Sequence, residues 1–404
     1  MSAAARWLTI VGVGEDGLDG LSPAARRAVA QATLVVGGHR HLALAGAVAG
    51  ATLAWPSPPE AAFPAILARR PEPVCVLASG DPFFFGIGSL LMRVVAADEM
   101  TCLPAPSAFS LAAARLGWGL QDCALVSLHG RALETILPQL QPQARILALS
   151  WDGTTPARLA HILAQRGMGR TQLTICEAMG GPRERMRTAE AGAYDLGEID
   201  PLNIVALEVV ADPGARVIPL AAGLPDGWFE HDGQITKREV RAITLAALAP
   251  RKGELLWDIG AGSGSVAIEW LLRHPANRAI AIERRAERVA RIGRNGLALG
   301  VPGLHIVAGA APEALAGLPQ PDAIFIGGGA LAPGLLDLAL AALASGGRLV
   351  VNAVTIETQA EMARRFAGLG GEMLTINIAR AEALGGFHGW RPTMPVVQWC
   401  WEKP

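Results

Sequence analysis

Residues 255–270 read LLWDIGAGSGSVAIEW: an apolar run closed by Asp258, glycines at 260, 262 and 264, then a segment of helical period from Val266 onward. A strand apolar on both faces, a turn needing backbone freedom and a helix packed back over the strand form the opening unit of a parallel α/β sheet. The alternation continues downstream. Strand-like runs at 279–282, 305–308, 323–326, 348–353 and 373–379 are separated by helix-like stretches. A last run, 395–401, follows ARAEALGGFHGWRPTM, which has no helical period. The pattern predicts five or six parallel strands and a final antiparallel one: an open α/β sheet with helices on both faces.

The loop spacing is G-x-G-x-G. A dinucleotide fingerprint is G-x-G-x-x-G, with its pyrophosphate seated on the helix amino terminus, and here the third glycine comes one residue early. No G-x-x-x-x-G-K-[ST] occurs anywhere in the chain. The loop therefore asks for a ligand without phosphates. The second strand ends in Glu283, whose carboxylate is placed to accept both hydroxyls of an adenosine ribose. S-Adenosyl-L-methionine fits, with its ribose on Glu283 and its amino-acid end near Asp258, Gly260, Gly262 and Gly264. Glycines at a strand–helix turn alone also suit a mere tight turn; the terminal acids and the strand series favour a ligand.

The amino-terminal half is α/β as well, with strand-like runs at 7–13, 34–36, 74–78, 125–128 and 146–149. Beyond Thr171 the runs LTICEAM and NIVALEVV lack a helix between them and predict a mixed or antiparallel sheet. Between the halves, ADPGARVIPLAAGLPDGWF holds three prolines and three glycines without a clear period. We therefore expect domains at 1–211 and 229–404, joined by a linker at 212–228.

A formal net charge of −1 with 18% charged residues gives no electrostatic reason to expect nucleic acid or an anionic membrane as partner. The five cysteines include no C-x-x-C pair, so neither a zinc site nor a disulfide framework is expected, and no metal is assigned. The opening apolar run is short and meets Glu15 and Asp16, unlike a secretory signal, and the later apolar stretch at 331–344 falls short of the roughly 20 residues of a bilayer span. The expectation is a cytoplasmic protein.

Around the glycine loop, residues 229–404 resemble the class I methyltransferases, and among them the precorrin methyltransferases of cobalamin biosynthesis that act at C-15. The resemblance rests on GQITKREVRAI (233–243), AGAAPEAL (308–315), PDAIFIGGG (321–329) and INIARAEAL (376–384). It implies a Rossmann-like seven-stranded fold in which Thr236, the loop, Glu283 and the residue after strand three surround the cofactor. Many relatives carry an acid at that last place, and here it is Ala310; a backbone carbonyl or a water must replace its contact to the adenine. Gly327, opening the glycine trio 327–329, falls where the family places the methyl group. T-K-R-E at 236–239 also reads as a capping box for the following helix.

The first half resembles the class III tetrapyrrole methylases over nearly all of 5–211. The carriers are WLTIVGVGEDG with Gly12 and Gly14, ASGDPFFFGIG with Gly80 and Asp81, PAPSAFSLAAARLG with Ser107, VSLHGR (126–131), and GGPRERMR (180–187). The resemblance implies a second S-adenosyl-L-methionine site, in a cleft between two α/β lobes, and methylation at C-5. Many relatives have G-x-G-P-G in the opening turn, so contacts of that proline do not carry over to Gly-Val-Gly-Glu-Asp-Gly.

Together the halves resemble the fused, decarboxylating precorrin methyltransferases, which implies a bifunctional enzyme and a homo-oligomer, a tetramer among the options. The precorrin partner bears many carboxylates, which arginine grips well. Candidates are Arg131, Arg183 and Arg185 in the first half and Lys237, Arg238, Arg241 and Arg391 in the second, with His388 as an acid for the carbon left by decarboxylation. Three alternatives stay open: cobalt-containing intermediates of the anaerobic route, a two-domain NAD(P)-dependent oxidoreductase, and a tetrapyrrole carrier.

Overall fold

The computed structural model describes residues 6–404. The chain divides into two units: one runs to Leu133 and resumes over Gln139–Val217, the other comprises Glu134–Pro138 and Ile218–Pro404.

The first unit has two five-stranded sheets. Strands β1 (Leu8–Val13), β2 (Leu34–Gly37), β3 (Ala51–Ala54), β4 (Val74–Ser79) and β5 (Met100–Leu103) form a wholly parallel sheet in the order β3-β2-β4-β1-β5. Both faces of β1 are buried, as its unbroken apolar run requires. The second sheet is mixed: β6 (Cys123–Ser127), β7 (Arg145–Leu149), β8 (Gln172–Glu177), β9 (Arg185–Glu190) and β10 (Asn203–Glu208), ordered β6-β7-β10-β8-β9, with only β6 and β7 parallel. The expected mixing past Thr171 is present. Sequence pattern missed β3, β5 and β9: the first two are four residues long, and β9 alternates charged and small residues on an edge.

The second unit holds β11 (Leu255–Ile259), β12 (Arg278–Glu283), β13 (His305–Ala308), β14 (Ala323–Ile326), β15 (Arg348–Ala353), β16 (Glu372–Ile376), the hairpin β17 (Ala379–Leu384) and β18 (Phe387–Pro392), and β19 (Val396–Glu402). Its seven-stranded sheet runs β13-β12-β11-β14-β15-β19-β16, the first five strands parallel and β19 antiparallel to both neighbours. This is the expected Rossmann-like sheet. Strand order reverses between β11 and β14, so the connections leaving their carboxyl ends diverge and open a crevice. The segment read only as lacking helical period is the β17–β18 hairpin, turned by Gly385 and Gly386 and reaching away from the core, with Phe387 and Trp390 largely exposed. No helix among the described residues is long and apolar enough to cross a membrane.

Candidate functional site

The crevice opens into a cavity of about 910 Å³, near the upper end of the range for small-molecule sites. Its walls include Thr236, Lys237, Gly260, Gly262, Glu283, Ala310 and Gly327, brought together from five segments. Gly260 has φ 72°, and a Cβ there would come within 2.9 Å of the Gly328 carbonyl oxygen. The loops after β11 and β14 approach this closely only because Gly260 carries no side chain.

Glu283 is buried, and its carboxylate accepts from the Gly262 amide at 3.0 Å and the Arg285 amide at 3.0 Å. Each oxygen keeps a further lone pair, so a diol can still be bound by a carboxylate whose orientation is fixed in advance. Asp258 stands behind the loop and is not part of the cavity wall. One oxygen accepts from the Ala267 amide at 3.0 Å, holding the first turn of the helix Ser265–Arg273. Its Oδ1, like the Ser263 hydroxyl, is buried without a hydrogen-bond partner among the described residues. Burial pushes the Asp258 carboxyl up to about 7; the Ala267 amide opposes this and the Glu283 charge adds to it. Gly264 also lies behind the wall, at φ 75°, where a Cβ would strike Ile292. A glycine-lined cavity with a tethered carboxylate suits a hydroxyl-rich cofactor such as S-adenosyl-L-methionine.

The segment around Thr236 departs from expectation in two ways. The helix Arg238–Leu248 begins one residue later than a capping box at Thr236 requires: its N-cap is Lys237, with no side-chain cap bond. Arg241 is a binding candidate by sequence, yet it is fully buried. Its Nε donates to Glu269 at 2.6 Å, its Nη1 to the Thr236 carbonyl at 2.5 Å and to Asp226 at 3.2 Å, and its Nη2 to the Leu224 carbonyl, with Phe229 stacked 4.7 Å from the guanidinium carbon. Each of its three nitrogens donates within the protein and the side chain is fully buried outside the cavity wall, so Arg241 supports Thr236 and does not reach substrate. Sequence alone could not find its partner Glu269, 28 residues on and itself buried.

Arg391 and His388 sit on β18 and are not part of the cavity wall; Arg391 pairs with Glu382 across the hairpin at 3.1 Å. Arg238 is likewise outside the wall. The wall instead gains Arg380 and Asn352, neither singled out by motif. Arg380 leaves the base of the hairpin to meet Glu239 at 2.6 Å. Arg288 fixes the loop before Thr236 through Asp232 at 2.8 Å and Gln234 at 2.8 Å.

In the first unit the sequence-flagged loops also converge. The Ala105 amide donates to the Gly80 carbonyl at 3.0 Å, and a Cβ on Gly12 would collide with that same carbonyl oxygen. Gly80 has φ 51°, and its own Cβ would lie 2.8 Å from the Ser107 Cα. A Cβ on Gly14 would lie 2.6 Å from Asp16 Oδ1. Asp81 accepts from the Phe83 amide at 2.9 Å, and Ser107 caps the helix Ala108–Leu116 by accepting from Ser110 at 3.2 Å. Beside them Ser79 contacts Arg40 at 2.8 Å and His41 at 2.9 Å, while burial, then the Arg40 charge, lowers the imidazole to about 4.

Arg185 does not present a free guanidinium. It meets Glu177 twice, at 3.1 and 2.8 Å, and Arg187 meets the same carboxylate. Burial would raise Glu177, but Arg185, the Asp200 amide and Arg187 outweigh it and hold the group at about 2. Arg183 is likewise paired, with Asp200 and Glu15. Arg131 lies over the exposed Phe85 ring at 5.7 Å.

Residues 7–194 match the family model for tetrapyrrole (corrin/porphyrin) methylases, and residues 227–403 match a precorrin methyltransferase domain. The chain is 58% identical over 398 residues to a precorrin-6Y C(5,15)-methyltransferase [decarboxylating] of Sinorhizobium sp, covering 98% of this chain and 96% of that one. Two shorter relatives each match less than half. A cobalt-precorrin-7 C(5)-methyltransferase of Salmonella typhimurium is 33% identical, covering 46% of this chain and 92% of its own. A probable cobalt-precorrin-6B C(15)-methyltransferase (decarboxylating) of Pyrobaculum calidifontis is 36% identical, covering 41% and 88%.

Proposed function

Because the chain belongs to the family of decarboxylating precorrin-6Y C(5,15)-methyltransferases, we propose that it methylates precorrin-6Y at C-5 and C-15 with two S-adenosyl-L-methionine molecules and removes carbon dioxide from the C-12 acetate, giving precorrin-8 in cobalamin biosynthesis. It is an S-adenosyl-L-methionine-dependent C-methyltransferase. The observation that carries the reading is coverage: both domain families occur in one chain, and one relative of this activity matches 98% of it. The cobalt-precorrin and nicotinamide alternatives have no support from that full-length relative.

Each unit holds one cofactor site; the first unit carries the C-5 transfer, the second the C-15 transfer and the decarboxylation. Two findings support this division: the two family models fall on separate halves, and shorter relatives carry names for one position each. In the second unit Glu283 takes the ribose, Gly260 and Gly262 let the backbone approach, and Gly327 and its neighbours leave room for a flat macrocycle. Asp258 and Gly264 act from behind, fixing the helix start. In the first unit Gly12, Gly14, Gly80, Asp81 and Ser107 frame the corresponding site.

The bound cofactor supplies a sulfonium-activated methyl group. The attacking bridge carbon is electron-rich, so the protein's task is alignment, which can lower a barrier by about 7 to 11 kcal/mol. For decarboxylation, a protonated conjugated nitrogen of the macrocycle can accept the electron pair, and no catalytic triad is needed.

Incubating the purified protein with precorrin-6Y and S-adenosyl-L-methionine should yield a macrocycle heavier by two methyl groups and lighter by one carbon dioxide. A product carrying one methyl group, or none, overturns the reading.

A further inference from the structure

Beside the cavity of the second unit a small polar network joins β15, β19 and the helix Arg238–Leu248. Arg348, Val350 and Asn352 project from β15 toward the helix Arg238–Leu248, and Leu349, Val351 and Ala353 project into the main core on the other face. Asn352 is the last residue on its face before the strand ends. Directly opposite, Gln398 of β19 is its cross-strand partner. Thr244 reaches down from the helix, and both Gln398 and Thr244 are completely buried.

The hydrogen positions follow from counting. The Thr244 hydroxyl donates its single hydrogen to the Val240 carbonyl at 2.8 Å. Its oxygen can then only accept, so both amides must present N–H to it: Asn352 Nδ2 at 2.8 Å and Gln398 Nε2 at 3.1 Å. The second Gln398 N–H goes to Asn352 Oδ1 at 2.9 Å. Thr244 is saturated and the Gln398 amide nitrogen is spent. One N–H remains in this three-residue network, and it belongs to Asn352, the member that forms part of the cavity wall.

Two buried polar side chains in place of hydrocarbon cost stability unless fully paired. Here their pairing leaves the Asn352 amide in one orientation, at the carboxyl edge next to the β14 glycines. We propose that this N–H binds a carboxylate of the macrocyclic substrate in the C-15 site, and that Thr244 and Gln398 are positioning residues that keep the donor outward. The inference rests on the function proposed above and adds a substrate contact to it. A neutral donor suits a substrate whose other contacts are anionic groups: it orients a carboxylate by direction without adding a competing charge.

The test uses the full chain, precorrin substrate and S-adenosyl-L-methionine, scoring C-5 and C-15 methylation separately. Asn352→Ala and Asn352→Asp should raise KM for the macrocycle in C-15 methylation by about tenfold to a hundredfold, the range for a hydrogen bond to a charged group. The aspartate variant, which sets a negative charge against the carboxylate, should be the worse. Cofactor affinity and C-5 methylation should be unchanged, which also reports that the chain is folded. Thr244→Val should raise the same KM, and Thr244→Ser should restore it. An unchanged KM in both Asn352 variants overturns the proposal. So does a C-15 defect that follows weakened cofactor binding, or a Thr244→Ser variant no better than Thr244→Val. If the parent protein transfers no methyl group to C-15, the proposed function fails instead, and the two failures are distinguishable.

Discussion

Ala249 ends the helix Arg238–Leu248 in the left-handed region, at φ 44° and ψ 63°, donating its amide to Leu245 at 3.0 Å. A Cβ in that conformation costs about 1 kcal/mol, which glycine avoids. Ala249→Gly should therefore raise the unfolding free energy by somewhat less than that, since glycine also gains freedom in the unfolded chain; urea unfolding of the second unit would read it, and a clear loss would refute it. Asp258 offers a second residue-scale test. Its folded value of about 7 lies above the ordinary 3.8, so the native chain holds the proton more tightly than the unfolded one. Stability from this group is greatest below about 4 and falls as pH rises from there toward 7. Asparagine can still accept the Ala267 amide and has no charge to bury. Asp258→Asn should gain stability relative to the parent at pH 8 and gain less at pH 5, as judged by denaturant midpoints. An advantage independent of pH would show that ionisation is not the cause.

At the scale of elements, the Arg241–Glu269 pair ties the helix Arg238–Leu248 to the helix Ser265–Arg273 and gathers the chain before Thr236 onto both. Glu269 also accepts from the Gly223 and Leu224 amides, at 2.7 and 2.8 Å. Arg241→Met would strand a buried carboxylate and free the Thr236 carbonyl, at an expected cost of about 3–5 kcal/mol. Calorimetry should show this as a lowered transition of the second unit, and a shift no larger than that of an exposed-arginine control such as Arg294→Met would contradict it. The same pair marks the limit of what sequence displays. Parallel strands and their terminal loops are legible because each carries its own signal: LLWDI is apolar on both faces, and Gly260 and Gly327 follow strand ends directly. Arg241 is not legible, because a charge within an amphipathic helix looks alike whether water or Glu269 receives it. Asn352 and Arg380 escaped for a related reason, since their roles depend on which strand lies opposite and where a hairpin base returns. The Thr236 capping box failed by one position: the helix starts after Lys237, and the Thr236 carbonyl accepts from the Arg241 side chain.

At the scale of the whole molecule, 404 residues exceed what a single core commonly organises, and the apolar clusters of the two units are distinct. Each candidate site is built from residues of one unit, so substitutions in the two should act independently. Gly12→Val would drive side-chain atoms into the Gly80 carbonyl, closing the first site. Gly260→Val would set a β-branched residue at φ 72° against the Gly328 carbonyl, closing the second. The intact chain should bind two S-adenosyl-L-methionine molecules by calorimetric titration, and each variant one. With precorrin, Gly12→Val should yield macrocycle methylated at C-15 and decarboxylated, and Gly260→Val macrocycle methylated at C-5 alone with its acetate retained. The double variant should bind no cofactor. If either single variant loses both methylations while still binding one cofactor molecule, the chemistry is shared between the units, and the assignment of one reaction to each must be abandoned.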